Sequence, residues 1–173
     1  MDPGNGAGKV TGKGVGEGAG METGADFEFS TAAREALTGV CFCLGVRKAA
    51  RRVSRLYDEA LAPYGLTIGQ FGILAHIEAD DGQSVQDLAD RLDMDQSALS
   101  RGIRPIERTG LLISRSDPSD RRRRVLVLSR AGKRRFDEAA QAWQRVQTAI
   151  AAQYGLERSA TLRGDLQALI EQL

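Results

Sequence analysis

Four consecutive arginines, Arg121 to Arg124, close the segment Ser116–Arg124, which joins two β-prone runs, Leu111–Arg115 and Val125–Leu128. Asp117-Pro118 suits the first two positions of a type I turn, so the runs should pair as a hairpin with the arginines at or beside its tip. Like charges this dense repel one another unless a polyanion neutralises them. The hairpin must therefore stay at the surface, and the chain before it has to supply a base that such a partner can also reach.

The preceding residues fit that demand. Ser84, with Asp87 three positions on, is a capping-box signature, and Val85, Leu88, Ala89 and Leu92 then recur at helical spacing. Asp93 and Met94 make a tight turn, after which Asp95 can cap a second helix. On a helical projection Leu99, Gly102, Ile103, Ile106 and Gly110 share one side of that helix. Ser97, Ser100, Arg101, Arg104 and Arg108 share the other, with Gln96 near its edge. Short hydrogen-bonding groups followed by long cations are what a helix needs to enter a major groove. Glu107 is its only acid after the cap, whereas an ordinary solvated face mixes both signs. Pro105 removes a backbone hydrogen bond, which predicts a kink near Arg101–Pro105 that leaves the first turns intact. Helix, turn, helix and basic hairpin together make a winged helix-turn-helix.

The run Leu92-Asp93-Met94-Asp95-Gln96-Ser97-Ala98-Leu99-Ser100-Arg101, continued by Pro105-Ile106-Glu107-Arg108-Thr109-Gly110-Leu111, resembles the reading helix of the MarR family of transcription regulators. Asp120-Arg121-Arg122, leading into Val125-Leu126-Val127-Leu128-Ser129, resembles that family's wing. The resemblance extends from about Cys41 to the C-terminus. It implies that Arg122 enters a minor groove and that Asp120 orients it. It also implies a homodimer, a pseudo-palindromic double-stranded DNA operator, and repression of transcription in the cytoplasm. Gln96, Ser97, Ser100, Arg101, Arg104, Arg121, Arg122 and Arg123 are the expected DNA contacts.

Flanking segments supply the rest of the expected fold: mostly α, a winged helix-turn-helix core with a small β-hairpin wing, between N- and C-terminal dimerisation helices. A long helix is expected from about Thr31 to Ala62, ended by Pro63 and Gly65. Thr67 and Gln70 form a second capping box, opening a helix with Ile68, Phe71, Leu74 and Ile77 on its core face. Ser129 caps a helix carrying Phe136, Ala139, Trp143, Val146 and Ile150, and a last helix from about Glu157 carries Leu162, Leu166, Leu169, Ile170 and Leu173. These ends carry more apolar surface than so small a reader can cover, which points to a second copy. The domain plan is a glycine-rich disordered tail over 1–28 and a single domain over 29–173. Within that domain, 29–62 and 129–173 are the dimerisation segments and 63–128 the reader.

The net charge of +1 conceals segregation: residues 95–124 carry eight arginines against four acids, whereas residues 67–94 carry one arginine against six acids. No enzyme constellation is present: there is no H-E-x-x-H, G-x-S-x-G or C-x-x-C, and the glycine-rich start matches no phosphate-binding loop. No catalytic residue, metal or cofactor is therefore expected. No run approaches the ~20 apolar residues that a membrane-spanning helix needs.

Two features leave the mode of control open. The resemblance places Cys43, with Cys41 nearby, at the reactive position of hydroperoxide-sensing members, so a thiol-based redox regulator is one alternative. Two residues apart on a helix, the pair cannot bridge each other. The first reading is release by a small-molecule effector, which in the family is often a small aromatic or phenolic acid; Arg47, Arg51 and His76 are the candidate effector-pocket residues. A winged helix that docks proteins instead of DNA is a further alternative, and the arginine wing argues against it.

Overall fold

The computed structural model describes residues 41–117 and 120–173, together with Ser30, Thr31, Arg34, Thr38 and Gly39. The tail expected over 1–28 lies outside the described residues. The chain divides into two units, Met1–Cys41 and Phe42–Leu173. Thr31, Arg34, Thr38 and Gly39 are helical and Cys41 is not, so the single helix expected from Thr31 to Ala62 is interrupted before Phe42.

In the second unit α1 (Phe42–Leu61) ends in a 3-10 turn, Ala62–Tyr64, stopped by Gly65 at φ +67°. α2 (Ile68–Ala79) and α3 (Val85–Arg91) open on the two capping boxes, Thr67 with Gln70 and Ser84 with Asp87, each reciprocal as the spacing predicts. Asp93, at φ +49°, turns the chain into α4 (Gln96–Arg108), a left-handed position that a short polar side chain tolerates. α4 continues through Pro105, so the hydrogen bond lost there does not end the helix. β1 (Leu112–Ser116) and β2 (Arg124–Leu128) pair antiparallel in the register Leu112↔Leu128 to Ser116↔Arg124. Arg124 is thus a strand residue, and Arg121 to Arg123 alone remain in the turn. α5 (Arg130–Tyr154), capped by Ser129, and α6 (Leu156–Gln172) complete the chain, parted at Gly155 with φ +100°.

The core lies where α2, α3 and α4 meet the hairpin; Leu74, Ile77, Leu88, Leu99, Ile106 and Leu126 are almost wholly buried. A ring stack ties α5 to it: Phe71 lies 5.1 Å from Phe136 and 6.1 Å from Trp143, and Tyr57 on α1 lies 6.5 Å from Trp143. Such pairs contribute about 0.5–1.5 kcal/mol each beyond their burial. The outer helices are left with apolar faces in solvent: Leu44, Val53 and Leu56 on α1, and Leu162, Leu166 and Ile170 on α6. Among the described residues no single helix is long and apolar enough to cross a membrane.

Candidate nucleic-acid interface

The reading helix separates its faces as the projection requires. Leu99, Ile103 and Ile106 are buried, while Gln96, Ser97, Arg101, Arg104 and Arg108 are exposed and Ser100 is half-buried. Gln96, Ser97, Ser100, Arg101 and Arg104 together line one open concavity with no acid among them. Asp95 builds its N-terminal end by accepting from the Ser97 N–H at 2.8 Å and the Ala98 N–H at 3.1 Å, and from the Ser97 hydroxyl. The hydroxyl foremost, then those N–H groups, hold the Asp95 carboxyl below the usual carboxylate range. Arg101 Nη1 donates to Ser97 Oγ at 3.3 Å, so the guanidinium leans back along the first two turns.

The wing places its cations differently from one another. Arg121 and Arg122 are exposed at the tip, and among the described residues neither makes an ion pair. Asp120 accepts from the Arg122 backbone N–H at 2.9 Å, so it shapes the turn through the main chain rather than through the guanidinium. Arg123 pairs with both Asp87 and Asp117. Arg124 folds back on β1, donating to the Ser114 carbonyl at 2.7 Å and the Ser114 hydroxyl at 3.3 Å.

Sequence reasoning missed three contributors. Gln83 is buried and acts as a third, one-residue strand: its carbonyl accepts from the Leu126 N–H at 2.8 Å, and its Nε2 donates to the carbonyls of His76 and Asp80. Asp87 and Asp117, outwardly a helix cap and a turn former, are also the partners of Arg123. The signal available was the acid-rich stretch before the reader facing the arginine-rich hairpin after it. Arg115 with Asp81, 3.5 Å apart, is another such pair.

The effector and redox candidates are not assembled in one place. His76 is half-buried and its Nδ1 lies 2.8 Å from the Gly72 carbonyl of its own helix. Arg47 and Arg51 are exposed on α1; Arg51 lines a shallow concavity with Ala50, Ser54, Arg55 and Asp58, which neither Arg47 nor His76 shares. Cys43 is exposed on α1, Cys41 is half-buried, and both are free thiols. Among the described residues no cluster of His, Cys, Asp and Glu is arranged to hold a metal ion.

A family model described as the MarR family matches residues 64–123, from the 3-10 turn through the wing tip. The chain is 31% identical over 108 residues to the transcriptional regulatory protein proposed for the hcr operon of Thauera aromatica; the match covers 62% of this chain and 65% of that relative's length. Among solved structures, the repressor CouR bound to a 23-mer DNA duplex superposes with a TM-score of 0.71 at 22% identity, covering 78% of this chain and 95% of that one. The Mycobacterium tuberculosis regulator MosR in complex with DNA superposes with a TM-score of 0.62 at 29% identity, covering 75% and 98%.

Proposed function

We propose that the chain is a MarR-family regulator, a sequence-specific, double-stranded-DNA-binding transcription repressor acting as a homodimer. The observation that carries this reading is the acid-free concavity of Gln96, Ser97, Ser100, Arg101 and Arg104 on the exposed face of α4. Small polar groups there suit base edges, and the arginines suit guanine edges or phosphates. Arg121 and Arg122, exposed on the wing, supply a second, minor-groove contact. CouR and MosR, each solved with DNA, carry the same fold. A homodimer explains the apolar faces of α1 and α6 and presents two reading helices to half-sites about one turn of DNA apart.

Release by a small aromatic acid is the finer part of the proposal. Arg51, which shares its concavity with Ser54, Arg55 and Asp58, is the candidate cation for the carboxylate; Arg47 and His76 stand apart from it. The test is a mobility-shift titration of the full chain against fragments selected from genomic DNA, repeated across salt and with aromatic acids. The logarithm of the affinity for a selected fragment should fall linearly with the logarithm of salt concentration. Failure to enrich any fragment, or binding indifferent to salt, overturns the DNA reading; indifference to every aromatic acid overturns the effector alone.

A further inference from the structure

Arg123 spans the turn of the hairpin and the first turn of α3. Its Nη1 donates to Asp117 Oδ2 at 3.2 Å at the foot of the turn, and its Nη2 pairs with Asp87 Oδ2 in the first turn of α3. Asp87 is fixed before the arginine arrives: it accepts from the Ser84 N–H and hydroxyl, both at 2.8 Å. The backbone of Arg123 is equally committed, its carbonyl accepting from the Asp117 N–H and its N–H donating to the Asp120 carbonyl, each at 2.9 Å. Among the described residues its neighbours Arg121 and Arg122 carry no such partners.

We propose that Arg123 is a positioning residue that latches the wing to the helix-turn-helix, so that Arg121 and Arg122 meet DNA while Arg123 does not. The rigid fork of a guanidinium suits one cation held between two carboxylates. Turning Arg123 outward to a phosphate would give up its contacts with Asp87 and Asp117 and take the guanidinium away from the Asp87 charge, close to a polyanion. Arg121 and Arg122 sit in the turn beyond the paired residues 112–116 and 124–128, so a tether at Arg123 acts on the part of the wing that strand pairing does not hold. The proposal rests on the DNA-binding reading and adds a role for one residue within it.

The test compares Arg123→Gln, Asp87→Asn, Asp87→Glu and the double variant Arg123→Gln/Asp87→Asn in the full chain. Amide hydrogen exchange is followed without DNA, and affinity for a selected duplex is measured beside it. A latch predicts faster exchange over residues 112–128 in both single neutralising variants. It also predicts that each loses about three- to fivefold in affinity, as the loss of a single exposed ion pair allows. The double variant should be no worse than either, because both break one interaction. Asp87→Glu keeps the charge and the capping box and should bind as the wild type does. The sign for Asp87→Asn is decisive, since deleting an acid near DNA otherwise strengthens binding. Tighter binding by Asp87→Asn, or losses that multiply in the double variant, overturns the latch and makes Arg123 an independent contact. If the wild type binds no duplex, the DNA reading fails; unchanged wing exchange in Arg123→Gln then separately overturns the latch.

Discussion

Gly132 lies so close to Leu111 that a β-carbon at position 132 would sit 2.0 Å from the Leu111 carbonyl oxygen. That carbonyl accepts from the Ser129 N–H at 3.0 Å, and Ser129 Oγ donates to the Gly110 carbonyl while accepting from the Gly132 N–H at 2.9 Å. The entry to the wing and the first turn of α5 are therefore one joint. Gly132→Ala has no rotamer with which to escape backbone, so it should cost about 2–3 kcal/mol or more, as overpacking does. Chemical denaturation reads this as a lower midpoint. Ala normally gains about 1 kcal/mol over Gly inside a helix, so a raised midpoint would show that the joint is not closed.

Asp87 and Asp95 set the acid limit of the reader. Both carboxyls are held below their ordinary 3.8: Asp87 first by the Ser84 N–H and hydroxyl and then by Arg123, Asp95 first by the Ser97 hydroxyl. A carboxyl depressed by folding contributes stability that is complete above its unfolded value and is lost as pH falls through the folded one. Asp95→Asn keeps a capping oxygen without the titration. Melting temperatures of wild type and Asp95→Asn should thus differ most above about pH 4 and converge as the pH falls below it. A pH-independent offset would contradict this.

Helix starts were legible because each is written in adjacent residues: Thr67 with Gln70, Ser84 with Asp87, Asp95, and Ser129 all cap where the sequence places them. The buried side of α4 was equally legible from its period. Pairings between distant residues were not. Nothing local to Gln83 announces that its carbonyl will join the sheet at Leu126, and nothing local to Arg123 distinguishes it from Arg121 or Arg122. Those outcomes depend on how the hairpin docks against α3, which periodicity does not encode. The break at Cys41 was hidden for the opposite reason: the residues around it read as continuous helix on composition alone.

The apolar faces of α1 and α6 predict an assembly that depends on the last helix. Removing residues 157–173 strips Leu162, Leu166 and Ile170, the exposed apolar face of α6. Sedimentation of the truncated chain should show monomer or aggregate. A soluble dimer with unchanged DNA affinity would refute the assignment.

Reader and wing should fail in different ways. Arg101 stands in the first two turns of α4, hydrogen-bonded to Ser97 beside the Asp95 cap, where on the proposed reading side chains would meet base edges. Arg122 stands at the tip of the hairpin with its backbone N–H held by Asp120. The minor groove it would reach mostly distinguishes A·T from G·C, so its contact is largely indifferent to sequence. Arg101→Ala should cost roughly 1–3 kcal/mol on the cognate duplex and less on a scrambled one. Arg122→Ala should weaken both alike and flatten the salt dependence by about one phosphate's worth. Affinities for the two duplexes at several salt concentrations decide between them. Equal losses on both duplexes for Arg101→Ala would remove it from base reading, and unchanged values for Arg122→Ala would remove the wing from the interface.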